Sequence, residues 1–248
     1  MSEVKRQGRR SANETEKTRL LILKVATCLF AKYGFTRVSL RNISEKAGIS
    51  HSLIRHHFGS KEQIWYSISD EIHQVMEHYC VHSLKTLDQS LPANQLFYQY
   101  SLKMLALLLK YPQPIQLMAD VMREEGELRD YLMDRKGSVE QIHQTVTTLY
   151  NEQNPDAQIY PKEIKWMVVM FSHSAASLVP FMRDIWDEEQ LTDEELIFKH
   201  WELYNDLAAM RLRVPEEQKL YPNSLDELLA DFMHSRENPF IDGCFCHD

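Results

Sequence analysis

The chain has 248 residues, 44% of them hydrophobic, and a formal net charge of −8. That length accommodates a small module plus a larger one with its own core, and no apolar run approaches the ~20 residues needed to span a bilayer. Four cysteines (Cys28, Cys80, Cys244 and Cys246) exclude a disulfide framework for a chain of this size, and the overall acidity hides an asymmetry.

Residues 1–62 hold 13 Lys+Arg against 5 Asp+Glu, a net of +8, whereas the remainder holds 15 against 31, a net of −16. A positive N-terminal module is the footprint of contact with a polyanion, and the acidic remainder is repelled by one. Ordinary solvated charge is the bland alternative; it does not explain why the sign asymmetry coincides with the motif described below. Only three of the seven glycines (Gly126, Gly137 and Gly243) lie beyond residue 60. Long stretches without glycine, broken by isolated prolines, predict an all-α protein.

Residues 1–13 read as a flexible polar arm carrying Lys5, Arg6, Arg9 and Arg10, too polar for a signal peptide. A first helix is expected over about Glu14–Tyr33, with Ile22, Ala26, Leu29 and Phe30 on one face and Gly34 as its stop. Ser39 is a candidate N-cap for the next helix, which ends at Ala47-Gly48. Ser50 caps a second short helix running to about Phe58. Ile43, Ala47, Ile49, Ile54 and Phe58 are spaced to pack together, which leaves His51, Ser52, Arg55, His56 and His57 outside. Two short helices around a glycine turn, with a basic and polar outer face, fit a helix-turn-helix that enters a major groove.

Ser60-Lys61-Glu62-Gln63 opens a long helix with the stripe Ile64, Ile68, Ile72, Val75 and Tyr79. After Leu91-Pro92, helices are expected over Asn94–Lys110, Ile115–Arg123 and Glu127–Glu152, with a loop over Asn151–Pro161. Glu163–Trp186 is the most apolar segment; Trp166 through Phe171 are hydrophobic all round and so expected to be buried all round. Thr192 and Glu195 form a second capping box, followed by Leu196, Ile197, Trp201, Tyr204 and Leu207 on one face. Ser224 and Glu227 form a third, and residues 236–248 read as a loose tail. The expected domains are therefore 14–62 for the helix-turn-helix and 63–235 for a larger helical domain.

With these residues in place, the chain resembles the TetR family of transcriptional regulators. Residues 16–66 carry the likeness: Phe30 and Gly34, Val38-Ser39, Ala47-Gly48-Ile49-Ser50, His56-His57-Phe58 and Ser60-Lys61-Glu62. The resemblance implies that Ser39 and Arg41 open a helix leaning on the DNA backbone, with Arg41 within reach of a base. It further implies that His51, Ser52 and Leu53 form the base-facing start of the recognition helix and that His57 and Lys61 meet phosphates; Ser50, as its cap, and His56, on its outer face, join the candidate DNA contacts by position. Arg55 stands where the family usually has tyrosine, Ser52 where glycine is frequent and Leu53 where threonine is frequent. These departures put the operator sequence beyond inference. The resemblance also implies a homodimer through residues 163–186 and 192–211, where Ser174-Ala175-Ala176-Ser177 offers small side chains for close approach. Such a dimer sets two recognition helices ~34–36 Å apart on a two-fold operator in double-stranded DNA.

In this family the larger domain often encloses a small-molecule effector. Met118, Met122, Trp166, Met170 and Phe171 are the candidate walls, because Met and aromatic side chains adapt to apolar ligands. His78 and His82 are spaced as a metal pair, but Cys80 between them would point away on a helix, and Cys244-Phe245-Cys246-His247 lacks partners at zinc spacing. No cofactor is called for, and neither a nucleophile elbow, a phosphate-cradling glycine loop nor a His-Glu-x-x-His motif supports an enzyme. The reading is a cytoplasmic, ligand-responsive, homodimeric repressor. The alternatives are an activator or ligand-independent regulator, or a helical small-molecule binding or scaffold protein.

Overall fold

The computed structural model describes residues 4–123, 125–133, 138–186 and 190–233, with side chains described over 13–123, 125–133, 139–186 and 190–229. Among the described residues there are twelve α-helices and no strand. In order they are α1 (Val4–Tyr33), α2 (Leu40–Ala47), α3 (His51–Phe58), α4 (Lys61–Thr86), α5 (Ala93–Lys110), α6 (Gln113–Val121), α7 (Glu127–Met133), α8 (Ser138–Gln153), α9 (Glu163–Ser177), α10 (Val179–Ile185), α11 (Asp193–Arg211) and α12 (Leu225–Met233). No single described helix is long and apolar enough to cross a membrane. The soft-ligand tail at Cys244–His247 lies outside the described residues.

Two compact units make up the fold. The first takes the chain through Ile72 and then Leu117 into α7; the second takes His73–Gln116 and the chain from α8 through α12. The boundary expected at 62/63 thus falls inside α4. The first turns of α4 belong to the first unit's core, where Ile64, Trp65 and Ile68 are buried with Ile22, Ala26 and Phe30. Phe30, Phe35 and Trp65 form an aromatic cluster, with ring centroids 5.3 to 6.1 Å apart.

Helix α1 begins at Val4, not at about Glu14, so the expected flexible arm joins a helix over Lys5, Arg6, Arg9 and Arg10. Lys, Arg, Gln and Ala are strong helix formers, and Gly8 alone, at ~1 kcal/mol, does not break the run. The segment 163–186 is likewise two helices, bent by 92°. Pro180 is responsible: it lacks an N–H and clashes with the carbonyl four residues back, so it stands in the first turn of α10, not inside a longer helix. The expected helix 127–152 is divided into α7 and α8, and residues 134–137 between them lie outside the described residues.

In the second unit α5 is the central element, with thirteen of its eighteen residues buried. It packs against α8, α9, α11 and α12. The Trp201 indole donates to Leu102 O (3.3 Å), and the Tyr98 hydroxyl donates to Asn205 while accepting from Leu220 N. The Thr192 capping box forms on α11. At α12 the third box shifts by one residue: Glu227 accepts from Asn223 N (3.0 Å) and Asn223 Nδ2 (2.9 Å), because Asn223 supplies two donors.

Candidate nucleic-acid interface and ligand cavity

Local chemistry builds the α2–α3 pair. Ser39 sits in extended conformation, and its Oγ accepts from Asn42 N (3.2 Å) while Asn42 Oδ1 accepts from Ser39 N (2.9 Å). This reciprocal pair satisfies two amides that a helix start leaves without partners. Gly48 ends α2 in the left-handed region (φ +66), and Ile49 N donates back to Ser44 O. A Cβ there would meet nothing within 4 Å, so backbone conformation alone calls for glycine. Ser50 then caps α3 by accepting from Leu53 N (3.2 Å), and its hydroxyl lies 3.0 Å from that of Ser52.

Ile43 and Ile54 are both 0% exposed, and α2 packs against α3. Fixing Ile54 inward turns His51, Ser52, Arg55 and His56 outward, all exposed, with Leu53 and His57 half-buried. The His56 and His57 rings are 5.7 Å apart. The outer face of α3 carries no carboxylate. Ser39, Arg41 and Ser50 are exposed alongside it, and Arg41 is bonded to Glu45 across one helical turn (2.8 Å). An exposed pair of this kind is weak, so a phosphate or a base edge can displace it.

Lys61 does not join that face. Its ammonium donates to Phe35 O and Val38 O, each at 2.9 Å, and lies 4.1 Å from the centre of the Phe35 ring. Burial pulls its pKa below the ordinary lysine range, against an upward pull from Glu62. In this structure the Lys61 ammonium is thus engaged by two carbonyls inside the first unit and not on the outer face of α3. The Phe35–Val38 turn leaves carbonyls outside any helix, and a long cationic side chain at the start of α4 reaches them. The same turn is held from its other side. Asp120 Oδ2 accepts from Phe35 N (2.8 Å), and a Cβ on Gly34 (φ +82) would come within 2.8 Å of Asp120 Oδ1. Nothing in the sequence pairs Asp120 with residue 35, because the contact is long-range; the glycine at 34 is the only trace of it.

The second unit contains a partly open cavity of about 90 Å³. Its walls come from α4 (Met76), α5 (Phe97, Tyr100, Ser101, Met104 and Leu108), α8 (Val139 and His143) and α9 (Ile164, Lys165, Val168 and Val169). None of Met118, Met122, Trp166, Met170 and Phe171 is among them. Trp166, Met170 and Met122 are 61%, 42% and 41% exposed, and the Phe171 ring is engaged by His200 and Tyr204. The expected burial of α9 on every side therefore does not hold within one chain: Ile164 and Val168 face inward, and Trp166 and Met170 face out. Helix geometry explains the split, since residues two apart point ~200° apart around the axis.

Comparison with known proteins agrees with this geometry. The family pattern described as "Bacterial regulatory proteins, tetR family" matches residues 22–65, from the middle of α1 through the start of α4. The N-terminal part is similar to the HTH-type transcriptional regulator TtgR of Pseudomonas putida, 33% identical over 70 residues, 28% of this chain and 33% of TtgR. It is also similar to the HTH-type transcriptional repressor NicS of P. putida, 37% identical over 62 residues, 25% of this chain and 29% of NicS. The matched segment thus spans about a third of the length of these relatives. The fold as a whole is similar to that of AibR, solved in complex with isovaleryl coenzyme A and operator DNA, with a TM-score of 0.55 and 16% identity over 78% of this chain and 97% of AibR.

Proposed function

We propose that this chain, which belongs through residues 22–65 to the TetR family of bacterial regulatory proteins, is a homodimeric transcriptional repressor released from a palindromic operator by a small molecule. The observation that carries the reading is the outer face of α3. His51, Ser52, Arg55 and His56 are exposed there on a helix capped at Ser50 and pinned by Ile54, with no acidic side chain among them. Such a helix enters a major groove with its first residues at base edges. Arg55 offers a planar fork to a phosphate or to guanine O6 and N7. Ser39 and Arg41, at the start of α2, are proposed to contact the DNA backbone, and His57 a phosphate.

Apolar side chains left in water support the dimer. On α9, Trp166 and Met170 are one turn apart; on α11, Leu203 and Met210 are two turns apart and 47% and 72% exposed. Exposed apolar stripes on two packed helices mark an interaction face, and a two-fold partner presents the same stripes in return. The effector is proposed to enter the cavity bounded by α5, α8 and α9. Its occupancy would shift the population of dimer geometries, with α4, which contributes residues to both units, as the covalent route to the DNA-reading helices.

Selection of duplexes from a random pool tests the reading. The expected product is a two-fold-symmetric sequence whose half-sites lie ~10 bp, or a multiple, apart, bound in a salt-dependent manner and released by a molecule that occupies the cavity. Equal affinity for random DNA would overturn it.

A further inference from the structure

The walls of the cavity constrain what it takes, given its reading as the effector site. Ser101 already donates to Tyr98 O (2.8 Å). Lys165 lines the cavity, but its ammonium is bonded to Glu140 (2.8 Å), and this pair lies at the half-exposed edge. Tyr100 is 1% exposed and held neutral by burial, and its hydroxyl meets the Cys80 thiol, itself pushed up to about 11 by burial. Among the described lining residues the one charged side chain is Lys165, and it is already paired. A charged ligand would therefore lose its hydration and gain a counter-ion only by breaking that pair at the edge, a larger penalty than that for an uncharged one.

His143 is the exception to this saturation. It is 7% exposed, and its Nδ1 lies 2.7 Å from Val139 O. A carbonyl only accepts, so Nδ1 carries the proton. Burial lowers the His143 pKa, which leaves the ring neutral and Nε2 as a bare acceptor. Among the described residues the donor it meets is the Tyr100 hydroxyl at 3.4 Å, beyond the ordinary range of an O–H hydrogen bond. A buried acceptor this poorly met invites a donor from whatever fills the cavity.

We infer that the cavity selects an uncharged, mostly apolar molecule with one hydroxyl, which donates to His143 Nε2: a phenol or a small branched or cyclic alcohol. Size sets an upper bound. A closed apolar cavity of ~150 Å³ holds benzene, so about 90 Å³, partly open, buries at most one ring.

Calorimetric titration of the full-length protein with phenol, fluorobenzene, benzoate and benzylammonium separates the outcomes. Fluorobenzene matches phenol in shape and lacks the donor. Phenol is expected to bind at least ~100-fold tighter than either ion. Its preference over fluorobenzene should fall by roughly tenfold in His143→Phe, the loss of about one hydrogen bond, and recover in His143→Gln, which restores an acceptor. An undiminished phenol preference in a folded His143→Phe protein would overturn the role of His143. Benzoate or benzylammonium binding as tightly as phenol would overturn the ligand class while leaving the cavity as the effector site. Failure of all four probes to bind would overturn both.

Discussion

Helices α3 and α9 both leave large side chains in water, for opposite reasons. On α3 the exposed residues are polar (His51, Ser52 and His56) or cationic (Arg55), and water satisfies their hydrogen bonds. On α9 they are Trp166 and Met170, whose exposure is unfavourable until another apolar surface covers them. On the proposed reading, the first face is stable alone and binds by exchange of counterions, so its affinity follows salt. On the same reading the second binds by loss of water, so its affinity follows buried area and responds little to salt. The proposal thus gives one chain a face for reversible docking and another for lasting association.

The sharpest way to break that contrast is through the core that positions α3. Ile54 is 0% exposed, and Ile54→Ala should lower stability by about 2–5 kcal/mol. Denaturant melts should show it, with DNA binding lost in parallel. On α9, Trp166→Glu introduces a charge where the account places a dry interface. Sedimentation should show dissociation into monomers, a loss of at least ~2 kcal/mol of association, with chain folding intact because Trp166 is 61% exposed in one chain. Ser39→Ala removes the reciprocal cap of α2 and should cost ~1 kcal/mol, read as a lower melting temperature.

The smallest effect concerns acid. Glu163 is bonded to Arg211 (Oε2 to Nη2, 3.0 Å), and that bond holds its carboxyl below the ordinary glutamate range. A carboxyl depressed on folding contributes stability that is fully present above its unfolded pKa, about 4.3, and that disappears as pH falls through the lower folded value. Arg211→Met should therefore lie below the native protein in melting temperature at pH 7, by under ~1 kcal/mol at this partly exposed pair. The gap should close in acid. A gap independent of pH would assign Arg211 a packing role instead.

How far the sequence revealed these features follows from the range of the forces involved. Ser39, Gly48 and Ser50 act on neighbours within a few residues, so the α2–α3 pair could be read from spacing alone. The cavity could not, because its walls run from Met76 to Val169 and its key acceptor, His143, looks like any histidine on a half-apolar helix. In α9 the apolar residues surround the axis, so sequence offered no way to distinguish Val168, which faces in, from Trp166, which faces out. The inward turn of the Lys61 side chain was equally hidden, because it depends on carbonyls at Phe35 and Val38, supplied by a turn well before it in the chain. The bend at Pro180 was available in the sequence, and composition masked it.

The most direct test of the central claim is the salt dependence of binding to the selected duplex, compared between the native protein and Arg55→Ala. Arg55 is exposed, and α3 folds without it, so stability should change by less than ~0.5 kcal/mol. Binding should weaken by roughly 5- to 150-fold, a loss of about 1–3 kcal/mol, with either a shallower salt slope by about one if Arg55 meets a phosphate, or relaxed discrimination at one base pair if it meets guanine. Unchanged affinity, slope and specificity in a folded Arg55→Ala protein would contradict α3 as the element that reads DNA.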